Sequence, residues 1–140
     1  MRLSTRSLYG LRFMFVLGRN YKSGPIQLNS ISENYDISGK YLSQIVIQLR
    51  HAKLINSIRG ANGGYFLARS PEKILLKDII ECLEGSIELV DLIGSNEKIL
   101  AIREFWQDLN NSFMSVLNKY TLIDIINNDI NRTKEYTYQI

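Results

Sequence analysis

The sequence predicts a mostly α-helical fold with one small β-hairpin, and three patterns along the chain support this. Apolar residues recur at helical spacing in several segments. Two short apolar runs flank the glycine-rich stretch Arg59-Gly-Ala-Asn-Gly-Gly64, as in a hairpin. A segment that begins at Ile99 repeats apolar residues at alternating spacings of three and four, which is typical of a helix that packs along one seam.

Length and charge suggest one domain with an appended helical arm and an anionic partner. The chain has 140 residues, 45% of them hydrophobic and 22% charged, as in an ordinary soluble globular protein. Residues 1–60 carry nine Lys/Arg and two acids, a net charge of +7, whereas residues 61–140 carry eight Lys/Arg and twelve acids, a net of −4. This asymmetry predicts that the first half contacts a polyanion.

Several function classes are excluded by residue content. Cys82 is the only cysteine, so the chain forms no internal disulfide and lacks the thiolates of a zinc finger or an all-cysteine cluster. His51 is the only histidine and no nucleophile is patterned with it, so no enzymatic activity is expected. No apolar run resembles a signal peptide or reaches the ~18 residues of a membrane span. We therefore expect a cytoplasmic protein without cofactor, metal or membrane association.

The first half predicts three helices. Ser4-Thr5 caps a helix that runs to about Gly18, with Leu8, Leu11, Phe15 and Val16 on one face. A second helix covers roughly Leu28 to Tyr35, and Ser38 caps a third from Gly39 to His51. The third helix has an inner stripe and an outer face, formed respectively by Leu42, Ile45, Val46, Leu49 and by Lys40, Ser43, Gln44, Ile47. The second and third helices together suit a helix-turn-helix, although an ordinary pair of packed helices has the same pattern.

The hairpin follows the helix pair directly, which predicts a winged helix. Its strands are the segments 54–58 and 65–68. Glycines at the tip permit positive φ and a close approach of the backbone to another surface. One arginine beside them, Arg59, suits the narrow minor groove of DNA. The alternative is that the glycines only make the turn and Arg59 is solvated.

The second half predicts a helix that ends at Gly85, a linker from Ser86 to Glu97, a long helix, and a short helix at 121–126 followed by a polar tail. The acids Glu81, Glu84 and Glu88 are interpreted as a solvated face, and Cys82 as a buried small apolar residue. The long helix carries a seam, which we interpret as a dimer interface rather than a core-packing face: Ile99, Ile102, Trp106, Leu109, Phe113 and Val116. The predicted units are a winged helix-turn-helix DNA-binding domain at 1–85 and, at 86–140, the linker, a dimerisation helix and the tail.

Several motifs resemble the Rrf2 family of bacterial winged-helix transcription regulators, over nearly the whole chain. They are Met1-Arg-Leu-Ser-Thr-Arg6, Ile37-Ser-Gly-Lys-Tyr-Leu-Ser-Gln44, Leu49-Arg50, Ser57-Ile-Arg-Gly-Ala-Asn-Gly-Gly-Tyr65 and Leu83-Glu-Gly85. The family's cluster-binding members carry three cysteines between the helix that ends at Gly85 and the long helix. This chain has none there, so the resemblance implies a member without an iron–sulfur cluster.

The resemblance also implies which residues contact DNA. Ser4, Thr5 and Arg6 would contact phosphates, Gln44 would read an adenine edge in the major groove, and Arg59 would enter the minor groove. Ser43 stands where many members have a glutamate, which puts the base preference in doubt. The full implied set is Ser4, Thr5, Arg6, Ser38, Lys40, Tyr41, Gln44, Arg50, Arg59, Gly60 and Gly63.

Within the family the likeness is greater to repressors of cysteine metabolism, and it lies in Arg103-Glu-Phe-Trp106, Thr121-Leu-Ile-Asp124 and the tail from Glu135. It implies a homodimer that represses cysteine and sulfur genes at a palindromic operator, with the cysteine synthase CysK as corepressor. Two other interpretations stay open. One is a protein-interaction module of the same fold that no longer reads DNA. The other is a regulator of another pathway that responds to a small molecule bound between Leu83 and Leu100.

Overall fold

Six α-helices and one β-hairpin make up the described part of the chain, which in this computed structural model comprises residues 2–89, 91 and 96–138. The elements are α1 (Thr5–Arg19), α2 (Leu28–Tyr35), α3 (Gly39–His51), β1 (Ile55–Ile58), β2 (Gly64–Leu67), a 3₁₀ turn (Pro71–Lys73), α4 (Leu76–Glu84), α5 (Leu100–Lys119) and α6 (Leu122–Tyr138). The predicted mostly helical fold with one hairpin is confirmed.

Helix α1 begins at the predicted cap but faces the core differently from the prediction. The Ser4 side chain accepts a hydrogen bond from the Ser7 amide at 3.4 Å. Phe13 and Leu17 are fully or almost fully buried, whereas Leu8 is 62% exposed. The prediction for Leu8 is wrong because glycines and serine, and not only apolar residues, lie on the inner face. That face contains Ser7, Gly10, Phe13, Met14, Val16, Leu17 and Gly18.

Helices α2 and α3 form the predicted pair around a tight turn. Asp36 ends α2 in the left-handed region at φ 52°, and the Ser32 hydroxyl donates to the Ile37 carbonyl at 2.5 Å. The predicted division of α3 is confirmed, with the stripe Leu42, Ile45, Val46 and Leu49 buried. The outer residues Lys40, Ser43, Gln44 and Ile47 are exposed. Ser38 occupies the N-cap position, although its side chain makes no capping hydrogen bond.

The hairpin is joined to the segment before α2. Strands β1 and β2 are antiparallel, with Ile55 opposite Leu67 and Ile58 opposite Gly64. Ile26 forms a further bridge to Tyr65, in which the Ile26 amide donates to the Tyr65 carbonyl at 2.9 Å and the Tyr65 amide donates back at 2.8 Å. Strand β2 is therefore held by backbone hydrogen bonds on both edges, to β1 on one side and to the segment before α2 on the other.

One hydrophobic core joins α1, α3, α4, the hairpin and the start of α6. Phe13, Leu42 and Ile79 lie in it without solvent exposure, and so does Leu122 from the far end of the chain. Ile126 is also buried there. Burying a side chain of this size stabilises a fold by ~1.5–3 kcal/mol, so the first turns of α6 contribute to the stability of the first half.

The last two helices differ from the prediction in one respect. The segment 121–126 is not a short helix before a polar tail, because α6 continues to Tyr138. Within α6 the hydroxyls of Thr133 and Thr137 donate to the carbonyls four residues earlier, at 2.9 and 3.0 Å. No Gly or Pro interrupts the segment, so the helix propagates from its packed first turns. The last two tail residues and residues 90 and 92–95 of the predicted linker lie outside the described residues.

Among the described residues, none of the helices combines the length and the apolar character required to cross a lipid bilayer.

Candidate nucleic-acid interface

One surface concavity of about 440 Å³ lies between the hairpin of β1 and β2, which we call the wing, the start of α2 and the end of α3. Arg50, on the last turn of α3, and Arg59, at the wing tip, both line it. Gln27, Leu28 and Asn29 form its third side. Both arginines are exposed, so the surface carries two cations around a cleft at the edge of the outer face of α3. Such an arrangement attracts a phosphate backbone.

The wing tip requires glycine at two of its positions. Gly60 has φ +116°, a conformation that side chains with a Cβ adopt rarely. At Gly63 a β carbon would lie 2.1 Å from the carbonyl oxygen of Ile58, which is backbone and cannot move aside. The Gly63 amide donates to the Gly60 carbonyl at 3.0 Å and closes the turn. The glycines thus shape a narrow tip that leaves Arg59 exposed.

Gln27 is a residue of this surface that sequence reasoning missed. Its side-chain amide donates to the Ala61 carbonyl at 2.9 Å, so it ties the wing tip to the start of α2. The two residues are 34 positions apart. No sequence pattern signals this contact, because it depends on how the hairpin folds back onto α2.

The outer face of α3 presents the predicted side chains unequally. Lys40 and Gln44 are exposed, so both side chains are available to a partner. The Ser43 hydroxyl donates to the Gly39 carbonyl at 2.9 Å. Tyr41 is half-buried, and its ring meets the Tyr9 ring edge-to-face with centroids 5.5 Å apart. Ser38, before the helix, is exposed.

Arg12 is a second residue that was not selected from the sequence, and it carries a positive charge. Its guanidinium lies over the Tyr9 ring, 5.6 Å from the centroid, and donates to the Tyr35 carbonyl at 3.3 Å. It therefore lies beside the turn between α2 and α3. The signal in the sequence was the spacing of three between Tyr9 and Arg12 on α1, which places the two side chains on one face.

The start of α1 is occupied by a carboxylate. Oε1 of Glu84 accepts hydrogen bonds from the Ser4 amide, the Ser4 hydroxyl and the Ser7 hydroxyl, each at 2.6 Å. The hydrogen bonds from Ser4 and Ser7, and then the charge of Arg6, lower the pKa of Glu84. Glu84 is half-exposed, so its interpretation as part of a solvated face holds only in part, because its carboxylate also binds the start of α1. Ser4 has its donors engaged inside the fold, whereas Thr5 and Arg6 are exposed.

The single cysteine lies away from this surface. Cys82 is half-buried on α4, and its thiol donates to the Gln48 carbonyl at 3.2 Å. Burial raises the pKa of the Cys82 thiol, which keeps it protonated at neutral pH. A protonated thiol that is hydrogen-bonded to backbone is a packing residue, in agreement with its interpretation from sequence.

Helix α5 leaves its apolar seam uncovered. None of its residues is buried within the chain, so the alternative of a core-packing helix does not describe it. Ile99, Ile102, Trp106, Leu109 and Val116 are exposed, and Phe113 is half-buried. Sequence reasoning missed two apolar side chains next to this seam, Leu100 and Phe105, which are also exposed. The rings of Phe105 and Trp106 pack together with centroids 5.0 Å apart.

Comparison with known proteins decides the family. Residues 3–128 match the sequence model of the Rrf2 family, described as iron-dependent transcriptional regulators. The chain belongs to the Rrf2 family. The predicted resemblance is confirmed, and an Rrf2 protein of this kind is a winged-helix transcriptional regulator with a long C-terminal helix.

Three relatives illustrate the likeness. The chain is 38% identical over all 140 residues to the helix-turn-helix transcriptional regulator CymR of Bacillus subtilis, and both chains are covered completely. It is 32% identical to the regulator IscR of Escherichia coli over 133 residues, 91% of this chain and 82% of IscR. The solved structure of CymR, the global cysteine regulator of B. subtilis, superposes with a TM-score of 0.82 at 39% identity, covering 89% of this chain and 95% of that one.

The family description names iron, and the side chains in the described part of the chain do not offer a set of iron ligands. Iron–sulfur clusters are held mainly by thiolates. The chain has one cysteine, whose thiol is protonated and engaged with backbone. In the part of the chain that the structure describes, no three His, Cys, Asp or Glu side chains are grouped so that they could hold a metal ion.

Proposed function

We propose that this protein is a homodimeric, sequence-specific DNA-binding repressor that acts in the cytoplasm without an iron–sulfur cluster. The observation that carries the proposal is the shared surface of α3 and the wing, where Arg50 and Arg59 line one cleft beside the exposed Lys40 and Gln44. A helix with exposed polar side chains fits the major groove, and a narrow cationic wing fits the adjacent minor groove.

Each DNA-facing residue has a role that follows from its chemistry. Gln44 makes a bidentate contact with an adenine edge, and Lys40 and Ser38 contact the bases or phosphates beside it. Tyr41 presents the edge of a ring braced by Tyr9. Arg50, Arg59 and Gly60 are exposed and contact the DNA backbone beside the wing. Gly63 is buried, so its proposed role is to close the turn that presents them.

The helix start has a divided role. Thr5 and Arg6 are exposed and are proposed to contact phosphates. For Ser4 we propose an internal brace in place of the phosphate contact expected from the sequence, because Glu84 already accepts its amide and hydroxyl hydrogens. Arg12 joins the set as a phosphate contact near the α2–α3 turn.

The second copy of the chain is proposed to cover the seam of α5. An exposed row of Ile, Leu, Trp and Val side chains on a 20-residue helix loses contact with water when two such helices pack. Symmetric pairing duplicates the reading surface, so the operator is an inverted repeat with half-sites about one helical turn apart.

The regulated genes are proposed to be those of cysteine and sulfur metabolism, with CysK as the corepressor. The support is the likeness to CymR over the full length of both chains. Expression of sulfur-uptake genes in a deletion strain, and co-purification with CysK in the presence and absence of O-acetylserine, test this part separately from DNA binding.

Selection from a random-sequence DNA library tests the reading function directly. We expect enrichment of an inverted repeat, and log K that falls with log salt by about 0.9 for each phosphate neutralised. The alternative of an interaction module predicts no enriched sequence and no retention on DNA at low salt. That result would refute the proposal.

A further inference from the structure

The joint between α5 and α6, at Tyr120 and Thr121, is tied by backbone hydrogen bonds to the predicted DNA-binding domain at 1–85, here called the reading unit. The Leu76 amide donates to the Tyr120 carbonyl at 3.0 Å, and the Leu122 amide donates to the Ile74 carbonyl at 2.8 Å. Asp124 accepts from the Thr121 amide at 2.8 Å and so caps the first turn of α6. The joint therefore has little freedom to bend relative to α4.

Gly18 allows α6 to lie directly against α1. A β carbon at Gly18 would lie 2.6 Å from Cδ1 of Ile126 and 3.2 Å from Cδ2 of Leu122. Beside this contact Arg19 and Asp129 form an exposed ion pair with an N–O distance of 3.7 Å. Helix α5, by contrast, buries none of its residues against the rest of the chain. The direction in which α5 leaves the first half is therefore set at its joint with α6, which Leu76 of α4 holds directly and α1 holds through α6.

We propose that the contact of Gly18 with Ile126 sets the distance between the two α3 helices of the dimer. The proposal rests on the proposed function, since it requires pairing through α5. Each α3 is connected to the dimer axis through α1, α6 and the joint, so a small displacement at Gly18 is carried to both ends of the dimer. Gly18 and Ile126 are thus positioning residues that determine which half-site spacing is bound, although neither contacts DNA.

The first test compares how strongly the wild type and its variants prefer one half-site spacing in the operator. Gly18→Ala places a methyl group against Cδ1 of Ile126, and Ile126→Val removes that atom. The measured quantity is the ratio of affinities for operators lengthened and shortened by one or two base pairs. We expect Gly18→Ala to change this ratio by more than about threefold. We expect the added Ile126→Val to restore the ratio in the double variant. Gly10→Ala is the matched control, because its β carbon would meet Leu83 at 2.1 Å within the reading unit.

The control separates positioning from stability. We expect Gly10→Ala to lower the melting temperature while the spacing ratio stays as in the wild type. Equal spacing ratios in wild type and Gly18→Ala, with only a lower melting temperature, would overturn the proposal. A spacing change in Gly10→Ala as large as that in Gly18→Ala would also overturn it.

A DNA-free measurement distinguishes failure of this inference from failure of the proposed function. Spin labels at Ile47→Cys in a Cys82→Ser background report the distance between the two α3 helices in the dimer. We expect Gly18→Ala to shift that distance and the added Ile126→Val to reverse the shift. If the distance between the α3 helices shifts in Gly18→Ala but the wild type binds no operator, only the proposed DNA-binding function is refuted. If the distance is unchanged, or the wild type is a monomer, the positioning role is refuted.

Discussion

The carboxylate of Glu84 accepts hydrogen bonds from the amide and the hydroxyl of Ser4, each at 2.6 Å, so the last residue of α4 closes the first turn of α1. An acid at a helix N-terminus also interacts favourably with the helix dipole. The contact joins residues 80 positions apart and fixes the start of the chain beside the end of the predicted DNA-binding domain.

Glu84→Gln should lower the stability of the fold at neutral pH and not at acidic pH. Hydrogen bonds from Ser4 and Ser7, with the charge of Arg6, lower the pKa of Glu84 in the folded state. The carboxylate therefore stabilises the fold fully above the ordinary glutamate pKa of about 4.3, and this contribution is lost as pH falls through the lower folded-state pKa. Thermal melts of both proteins from pH 7 to pH 3 check this. Curves that stay equally far apart at every pH would contradict the assignment.

Arg59→Ala should weaken DNA binding without changing the fold. Arg59 is exposed at the wing tip, so its removal leaves no cavity. Loss of one phosphate or minor-groove contact reduces the salt slope by about 1. Anisotropy titrations at several salt concentrations measure the slope, and circular dichroism verifies the fold. Arg132→Ala, an exposed arginine on α6, is the control and should bind as the wild type does.

Gln44→Ala should reduce the preference for the operator and leave nonspecific binding unchanged. A bidentate contact to a base is worth ~1–3 kcal/mol of discrimination, whereas phosphate contacts hold every sequence equally. Competition between the selected operator and the same duplex with one substituted adenine measures the loss. Equal weakening on both duplexes would assign Gln44 to the backbone instead. Ser43→Ala, whose hydroxyl donates to the Gly39 carbonyl, serves as the neighbouring comparison.

Leu109→Lys should convert the proposed dimer to a monomer that remains folded. Leu109 is exposed within a single chain, so a lysine there is solvated until a second α5 approaches. A buried unpaired charge in the seam is costly, and binding to a palindrome then falls to that of one half-site. Sedimentation velocity reports the oligomeric state. Asn111→Lys, on the opposite side of the same helix by its position in the heptad, should remain a dimer.

The local elements could be predicted from sequence because they depend on neighbours in the chain. The buried stripe of α3, with Leu42 and Leu49, follows from its periodicity, and the hairpin follows from its glycines. What the sequence did not predict depends on contacts across the fold. The partner of Glu84 lies on α1, and the partner of Gln27 lies on the wing. Neither pairing leaves a periodic signal.

The length of α6 was missed for a different reason. From Asn127 to Tyr138 the helix contains three Asn and two Thr, which are weak helix formers, so its composition indicated a tail. The helix is extended from turns that pack through Leu122 and Ile126, and tertiary burial outweighs local propensity. The inner face of α1 was missed in a similar way, because Gly10 and Gly18 contribute close contacts that no hydrophobic pattern records.

The burial of Leu122 and Ile126 among side chains from the first half has a consequence for synthesis on the ribosome. A nascent chain that ends just after the wing still exposes to water the face of α1 at Gly18 that α6 covers in the complete fold. The first half reaches its full stability only when residue 126 has left the exit tunnel, since Leu122 and Ile126 complete its core. Chains truncated in α5 would lack both side chains and would leave the core of the first half incomplete.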